Sequence, residues 1–194
     1  MNPDASDVLD RLMQKAAPYS EFQAESDRPG IYAVFFVGGV FPWPEAMDSV
    51  PPGDLIYIGK SESCCLTRTI DEHFSSGKTG SSTLRRTLGA LLLDGYSLEP
   101  EPRSATGSGQ DYRCYKFSPE GEDKLTEWMM DNLGLSLYEY DRVPSEIRRL
   151  EAELVHRSVP ILNLQHNLKN PFRKAILSCR ARCAQLARLS DSGV

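Results

Sequence analysis

Apolar positions along the chain switch between helical and strand periods. Val8, Leu9, Leu12 and Met13 recur at helical spacing over 7–17 behind Ser6 or Asp7, which predicts a short amphipathic helix with a polar cap. After Pro29-Gly30, the run 31–37 is β-branched and aromatic and predicts a buried strand, ended by Gly38 and Gly39. Four prolines between Phe41 and Gly53 predict a loop, and Leu55 to Ile58 a second short strand closed by Gly59. Two helices should follow. Leu66, Ile70, His73 and Phe74 share a face of the first, and Leu84, Leu88, Leu91 and Leu92 form a stripe on the second, behind Ser81 or Ser82.

The stretch 99–110 is rich in Pro, Ser and Gly and reads as a loop, followed by an edge strand over 112–117 and a helix over 122–133. The block reads as an insertion. Residues 135–140 alternate as in a strand with one buried face, and Ser145 is placed to cap a helix bearing Ile147, Leu150, Leu154 and Val155. Pro160 marks its end. Asn170-Pro171 opens a last helix whose Phe172, Ile176, Cys179, Cys183 and Leu186 form an apolar seam, expected to dock on the body.

Composition narrows the function classes. At 194 residues, 40% hydrophobic and 25% charged, the chain has the usage of an ordinary globular domain. No stretch approaches the roughly 18 uninterrupted apolar residues of a membrane span, and Met1 to Pro29 has no basic segment followed by an apolar one; a cytoplasmic protein is expected. The formal net charge of -5 excludes nucleic-acid binding by bulk positive charge. Charge is uneven, however: from Leu164 onward Lys169, Arg173, Lys174, Arg180, Arg182 and Arg188 face only Asp191. A local phosphate-facing surface is compatible with that distribution.

Two nucleotide-loop lookalikes fail on spacing. Gly53 to Gly59 leaves five intervening residues where a phosphate loop before Gly59-Lys60-Ser61 needs four, and Glu72 stands where the triplet Gly77-Lys78-Thr79 requires its first glycine. The five cysteines show no paired C-x2-C spacing, so buried or idle thiols are expected rather than a zinc or redox centre.

The informative constellation is Gly30-Ile31-Tyr32 on the first strand, Tyr57-Ile58-Gly59 on the second, and Glu151 on a later helix with Pro160 and Asn163 behind it. These motifs resemble those of the GIY-YIG nuclease superfamily. The spacing Glu151-x8-Pro160-x2-Asn163 is similar to that of the nuclease domain of bacterial excision repair. The resemblance covers roughly 29–163 with 95–134 inserted. It implies an α+β fold, with a small, mainly antiparallel sheet flanked by helices. The division it suggests is an N-terminal helical lid over 1–28, a catalytic domain over 29–164 and a basic C-terminal helix over 165–194.

The residue types suit phosphodiester hydrolysis, which needs an activated water, a cation on the phosphoryl oxygens and stabilisation of the leaving oxygen. Two tyrosines on neighbouring strands place their phenols at one end of a sheet. Glu151 lies four residues after Ile147 and three before Leu154, on a face shared with core residues. A carboxylate there invites a divalent ion; otherwise it borders the core and reaches water. The resemblance implies that Tyr32 orients or deprotonates the attacking water, Tyr57 completes the hydrogen-bond network, Glu151 holds one Mg2+ or Mn2+, and Asn163 ties the site together. Gly59 would let the backbone approach the phosphate, and Lys60 would add a second cation. Without the resemblance, both tyrosines read as core aromatics and Lys60 as a solvated lysine.

The superfamily's Leu-x-x-Arg with a following histidine is only approximated. Alignment on Leu66 and His73 puts Thr69 at the arginine's place, one position after Arg68. Either the helix starts irregularly, or Arg85 or Arg86 supplies the charge, or activity is weakened. His73 would assist proton transfer or have no role. Tyr32 and Tyr57 are separated by 24 residues, where about ten is usual in the superfamily. Arg85, Arg86, Lys78 and the final helix are the candidate DNA-backbone contacts. The expected function is metal-dependent DNA cleavage; the alternative is an attenuated nucleic-acid-binding or protein-interaction module with the same fold.

Overall fold

A computed structural model describes residues 3–23, 27–39, 41 and 54–191, which fall into two units. The first is drawn from the described parts of 3–41, 54–71 and 130–171, the second from 72–129 and 172–191. The proline-rich loop expected between Phe41 and Gly53 lies, Phe41 apart, outside the described residues, as does the side chain of Leu66.

In the first unit, helix α1 (Ala5–Gln14) leads to a two-residue strand β1 (Ala17–Pro18), which the sequence pattern is too short to announce. The cap of α1 is Asp4, whose carboxylate accepts from the Ser6 N–H at 2.7 Å, rather than Ser6 or Asp7. An acidic cap also suits the positive end of the helix dipole. Strand β2 (Gly30–Phe36) is buried throughout its length. It pairs antiparallel on one side with β3 (Leu55–Ser61) and on the other with β6 (Leu133–Glu139), giving the order β1-β6-β2-β3. Helix α2 (Cys65–His73) follows β3, its last two residues belonging to the second unit.

Helix α6 (Pro144–Ser158) starts one residue before the expected Ser145 cap. Val143 takes the cap position without a side-chain bond and Pro144 the first helical position, where a missing N–H costs nothing and its fixed φ already fits. Ala5, Val8 and Leu12 of α1 and Ile147, Leu150, Leu154 and Val155 of α6 meet Ile31, Ala33, Phe35 and Ile58 on one face of the sheet. Each fully buried branched side chain there contributes about 1.5–3 kcal/mol. This core fixes the α6 face that bears Glu151.

In the second unit, Ser82 caps α3 (Thr83–Leu92) as the sequence predicts, its hydroxyl accepting from the Arg85 N–H at 3.1 Å. The segment expected as loop and edge strand divides instead into helix α4 (Gly109–Arg113) and a two-stranded antiparallel sheet of β4 (Pro100–Glu101) and β5 (Lys116–Phe117). A reciprocal capping box between Ser108 and Asp111 starts α4. Helix α5 (Pro119–Asn132) begins three residues before the expected Glu122, again with proline at its start, and its last residues belong to the first unit. Helix α7 (Arg173–Asp191) packs on α3, α4 and β4, burying Ile176, Cys183 and Ala187, so its seam runs through Ala187 rather than Leu186. Among the described residues the fold is α+β, with seven α-helices, a four-stranded antiparallel sheet and the small β4–β5 pair.

Candidate active site

The β2–β3 register sets Tyr32 opposite Gly59 and Val34 opposite Tyr57. Side chains alternate along a strand, so both tyrosines and Gly59 share one face of the sheet. Their rings stand 6.2 Å apart between centroids, tilted by 33°. Tyr32 is 2% exposed, and a Cβ at Gly59 would fall on its ring and phenol oxygen. Gly59 is therefore the seat on which the Tyr32 ring lies.

Arg68 of α2 hydrogen-bonds the Tyr32 phenol. Burial, and then Tyr57, push the phenol well above its ordinary pKa, against the opposing pull of Arg68. The phenol therefore stays protonated at neutral pH. Thr69, the residue aligned with the superfamily's arginine, is buried and turns its hydroxyl back onto the Cys65 carbonyl at 2.7 Å. The phase of α2 thus gives Tyr32 an arginine, one position before the place that alignment picks.

Beyond α6 the chain runs from Pro160 to Asn170 without regular structure, and buried asparagines supply its hydrogen bonds. Asn163 pairs with both backbone groups of Ile58: its Oδ1 accepts from the Ile58 N–H at 2.9 Å, and its Nδ2 donates to the Ile58 carbonyl at 2.8 Å. The Leu162 N–H donates to the Ile56 carbonyl at 2.9 Å. A side chain and one backbone group therefore do for β3 what a neighbouring strand would. Asn167 and Asn170 hold the same segment through the carbonyls of Pro160, at 2.7 Å, and Ile161, at 2.6 Å. Asn163 sets the position of the strand that carries Tyr57, Gly59 and Lys60, and its amide is spent in doing so.

Glu151 projects from α6 with its side chain 18% exposed, 3.7 Å from Lys60 Nζ. Burial raises its pKa, and Lys60 followed by His166 works in the opposite direction. Its charge also reaches Tyr32, where it is among the influences that raise the phenol pKa. Sequence reading missed three neighbours: Glu62, which Lys60 also approaches at 3.7 Å; Arg148, which grips Glu62; and His166, in a left-handed conformation at φ 58°. Arg148 lies one helical turn before Glu151, a spacing that sequence alone offers as a clue.

Among the described residues no group of three or more His, Cys, Asp or Glu converges as a metal cage. A single, partly buried carboxylate with a loose cationic partner nevertheless fits a hard divalent ion that takes its other oxygens from water and phosphate, as Mg2+ commonly does.

The remaining candidates lie in the second unit. His73 is 1% exposed, with its Nδ1 2.7 Å from the Ser82 hydroxyl. Arg85 and Arg86, expected as phosphate contacts, are corrected by their burial at 0% and 7% exposure. Arg85 donates through Nη2 to Glu122 Oε2 at 2.7 Å, through Nη1 to the His73 carbonyl at 3.1 Å and through Nε to the Thr79 hydroxyl at 3.1 Å. Arg86 donates to the Thr79 and Gly80 carbonyls at 3.1 and 2.7 Å. Both guanidiniums are structural. On α7, Arg182 is held bidentately by Asp94 and Arg188 lies 4.9 Å above the Tyr112 ring.

Tyr32, seated against Gly59, and Tyr57 thus stand on adjacent antiparallel strands, with Arg68 and Glu151 both acting on the Tyr32 phenol. The family model described as the GIY-YIG catalytic domain matches residues 30–182, well over half of the chain, and the chain belongs to that family. The family is one of nuclease-type domains, so nucleic acid is the implied class of substrate. No curated protein and no solved structure matches the chain. Among the described residues no helix is long and apolar enough to cross a membrane.

Proposed function

We propose that the chain is a metal-dependent DNA endonuclease that hydrolyses phosphodiester bonds at the site formed by Tyr32, Tyr57, Lys60, Arg68 and Glu151. The observation that carries the reading is the Tyr32 phenol: seated on Gly59, hydrogen-bonded by Arg68, beside Tyr57 and within the influence of Glu151. With its pKa raised, Tyr32 acts as a fixed hydrogen-bonding group that orients the attacking water, rather than as a standing phenolate. Arg68 holds the phenol and brings positive charge to the phosphoryl oxygens. Tyr57 lies half-buried beside it and extends the network. Glu151 holds one Mg2+ or Mn2+, which supplies charge stabilisation on the phosphoryl oxygens. Asn163 and Gly59 act as positioning residues, one on β3 and the other on Tyr32.

The alternative of an attenuated binding module draws on Thr69 at the arginine's place and on the acidic net charge; the nearness of Arg68 to Tyr32 speaks for the enzyme on the first point. The test is cleavage of supercoiled plasmid, single-stranded and branched DNA with Mg2+ or Mn2+ and with chelator, beside Glu151→Ala protein freed of contaminating nuclease. Cleavage that needs both metal and Glu151 is expected. Cleavage by Glu151→Ala at the wild-type rate refutes the reading, and DNA binding without turnover on any substrate favours the module.

A further inference from the structure

Four side chains of alternating charge run between α6 and the end of β3: Arg148, Glu62, Lys60 and Glu151. Arg148 grips Glu62 through two parallel bonds, Nε to Oε1 and Nη2 to Oε2, each 2.7 Å. This is the tight, planar form of an ion pair. Lys60 Nζ, by contrast, stands 3.7 Å from Glu62 Oε1 and 3.7 Å from Glu151 Oε2, shared between two carboxylates and bonded closely to neither. An ammonium on a four-carbon stem, 27% exposed, moves easily, whereas a forked guanidinium pair does not. Of the two carboxylates that Lys60 faces, Glu62 is therefore fixed from its far side.

We propose that Lys60 is the exchangeable counter-ion of Glu151, and that Glu62, pinned by Arg148, is the carboxylate onto which Lys60 withdraws when a divalent cation occupies Glu151. The inference rests on the reading of Glu151 as the metal carboxylate and adds what controls access to it. An ammonium and a divalent cation repel, so both cannot stay close to one carboxylate. A partly buried carboxylate without a counter-charge is costly, and Lys60 meets that cost while no ion is bound. Glu62 then limits the cost of its departure.

The test is Mn2+ binding to the full chain without nucleic acid, by titration calorimetry, for wild type, Lys60→Met, Glu62→Gln, the double variant and Glu151→Gln. Lys60→Met is expected to bind Mn2+ up to about fivefold more tightly, a factor in keeping with the loss of one partly exposed ion pair. Glu62→Gln is expected to weaken binding in the wild-type background and to have no effect in the Lys60→Met background, because its action passes through Lys60. Unchanged or weaker binding by Lys60→Met overturns the inference. Equal weakening by Glu62→Gln in both backgrounds also overturns it, since that is the mark of charge acting through space. Loss of the Mn2+ site in Glu151→Gln alongside either result removes the exchange alone. Wild-type binding by Glu151→Gln, or no binding by any variant, removes the metal-carboxylate reading with it. All of these side chains are at least partly exposed, and a thermal melt of each variant verifies its fold.

Discussion

Replacing Asn163 with alanine should loosen the strand that carries the site. The substitution removes two buried hydrogen bonds, at 2.9 and 2.8 Å, and leaves the Ile58 N–H and carbonyl without those partners. Each bond contributes about 1 kcal/mol net, and each buried group left unsatisfied costs about 1–3 kcal/mol, so a loss of about 3 kcal/mol is expected. That corresponds to roughly a hundredfold faster opening, since about 1.4 kcal/mol is a factor of ten. Hydrogen exchange read by mass spectrometry over the 55–61 peptide measures it directly, whereas tryptophan fluorescence would report Trp43 and Trp128, neither of which belongs to β3. Asn163→Asp separates the two bonds: it keeps an acceptor for the N–H and loses the donor to the carbonyl, so it too should lower protection. A change of less than about fivefold at Ile58 in the alanine variant would refute the idea that a side chain serves β3 as its outer neighbour.

Three further outcomes follow from the geometry. Gly59→Ala drives a methyl group into the Tyr32 ring and should lower kcat by about a hundredfold, the scale of a 1 Å misplacement, while circular dichroism stays that of the wild type. Arg85→Met strands the Glu122 carboxylate and should cost about 3–5 kcal/mol in urea unfolding, with much of the loss recovered in Arg85→Met/Glu122→Leu; a larger loss in the double variant contradicts this. Burial raises the Glu151 pKa, so the folded state binds its proton more readily than the unfolded chain, and the stability this gives is present at acid pH and lost as pH rises through the folded pKa. Glu151→Gln should therefore melt above wild type at neutral pH, with the gap closing as pH falls towards the ordinary glutamate value of 4.5; a lower melting temperature at neutral pH speaks against it.

The strands and the long helices were legible because their signals are local: a β-branched run over 31–36, a repeating stripe over 84–92, an alternation over 135–139. The site was legible where it rests on those elements, as with Tyr32, Tyr57 and Glu151. It was not legible where phase or distant pairing decides. The phase of α2 brings Arg68 to Tyr32 and turns the Thr69 hydroxyl back onto the helix, which counting residues from Leu66 and His73 does not reveal. Arg85 reads as a surface charge beside an apolar stripe, and only the return of the chain 37 residues later brings Glu122 to bury it. Glu62 and Arg148 are 86 residues apart and carry no local signature of their pairing. The short elements α4 and β1 were missed for another reason: a five-residue helix and a two-residue strand are too brief for any period to show.

The amide pairing of Asn163 also bears on assembly. On the outer edge of β3 the Ile56 carbonyl and both backbone groups of Ile58 are already taken, which opposes extension of the sheet there by a peptide or a second copy of the chain. Sheet edges are common routes to dimers and fibrils, and these backbone groups beside the site are withheld from both. A partner that approaches the strand edge at Ile58 meets the Asn163 amide in place of free backbone groups.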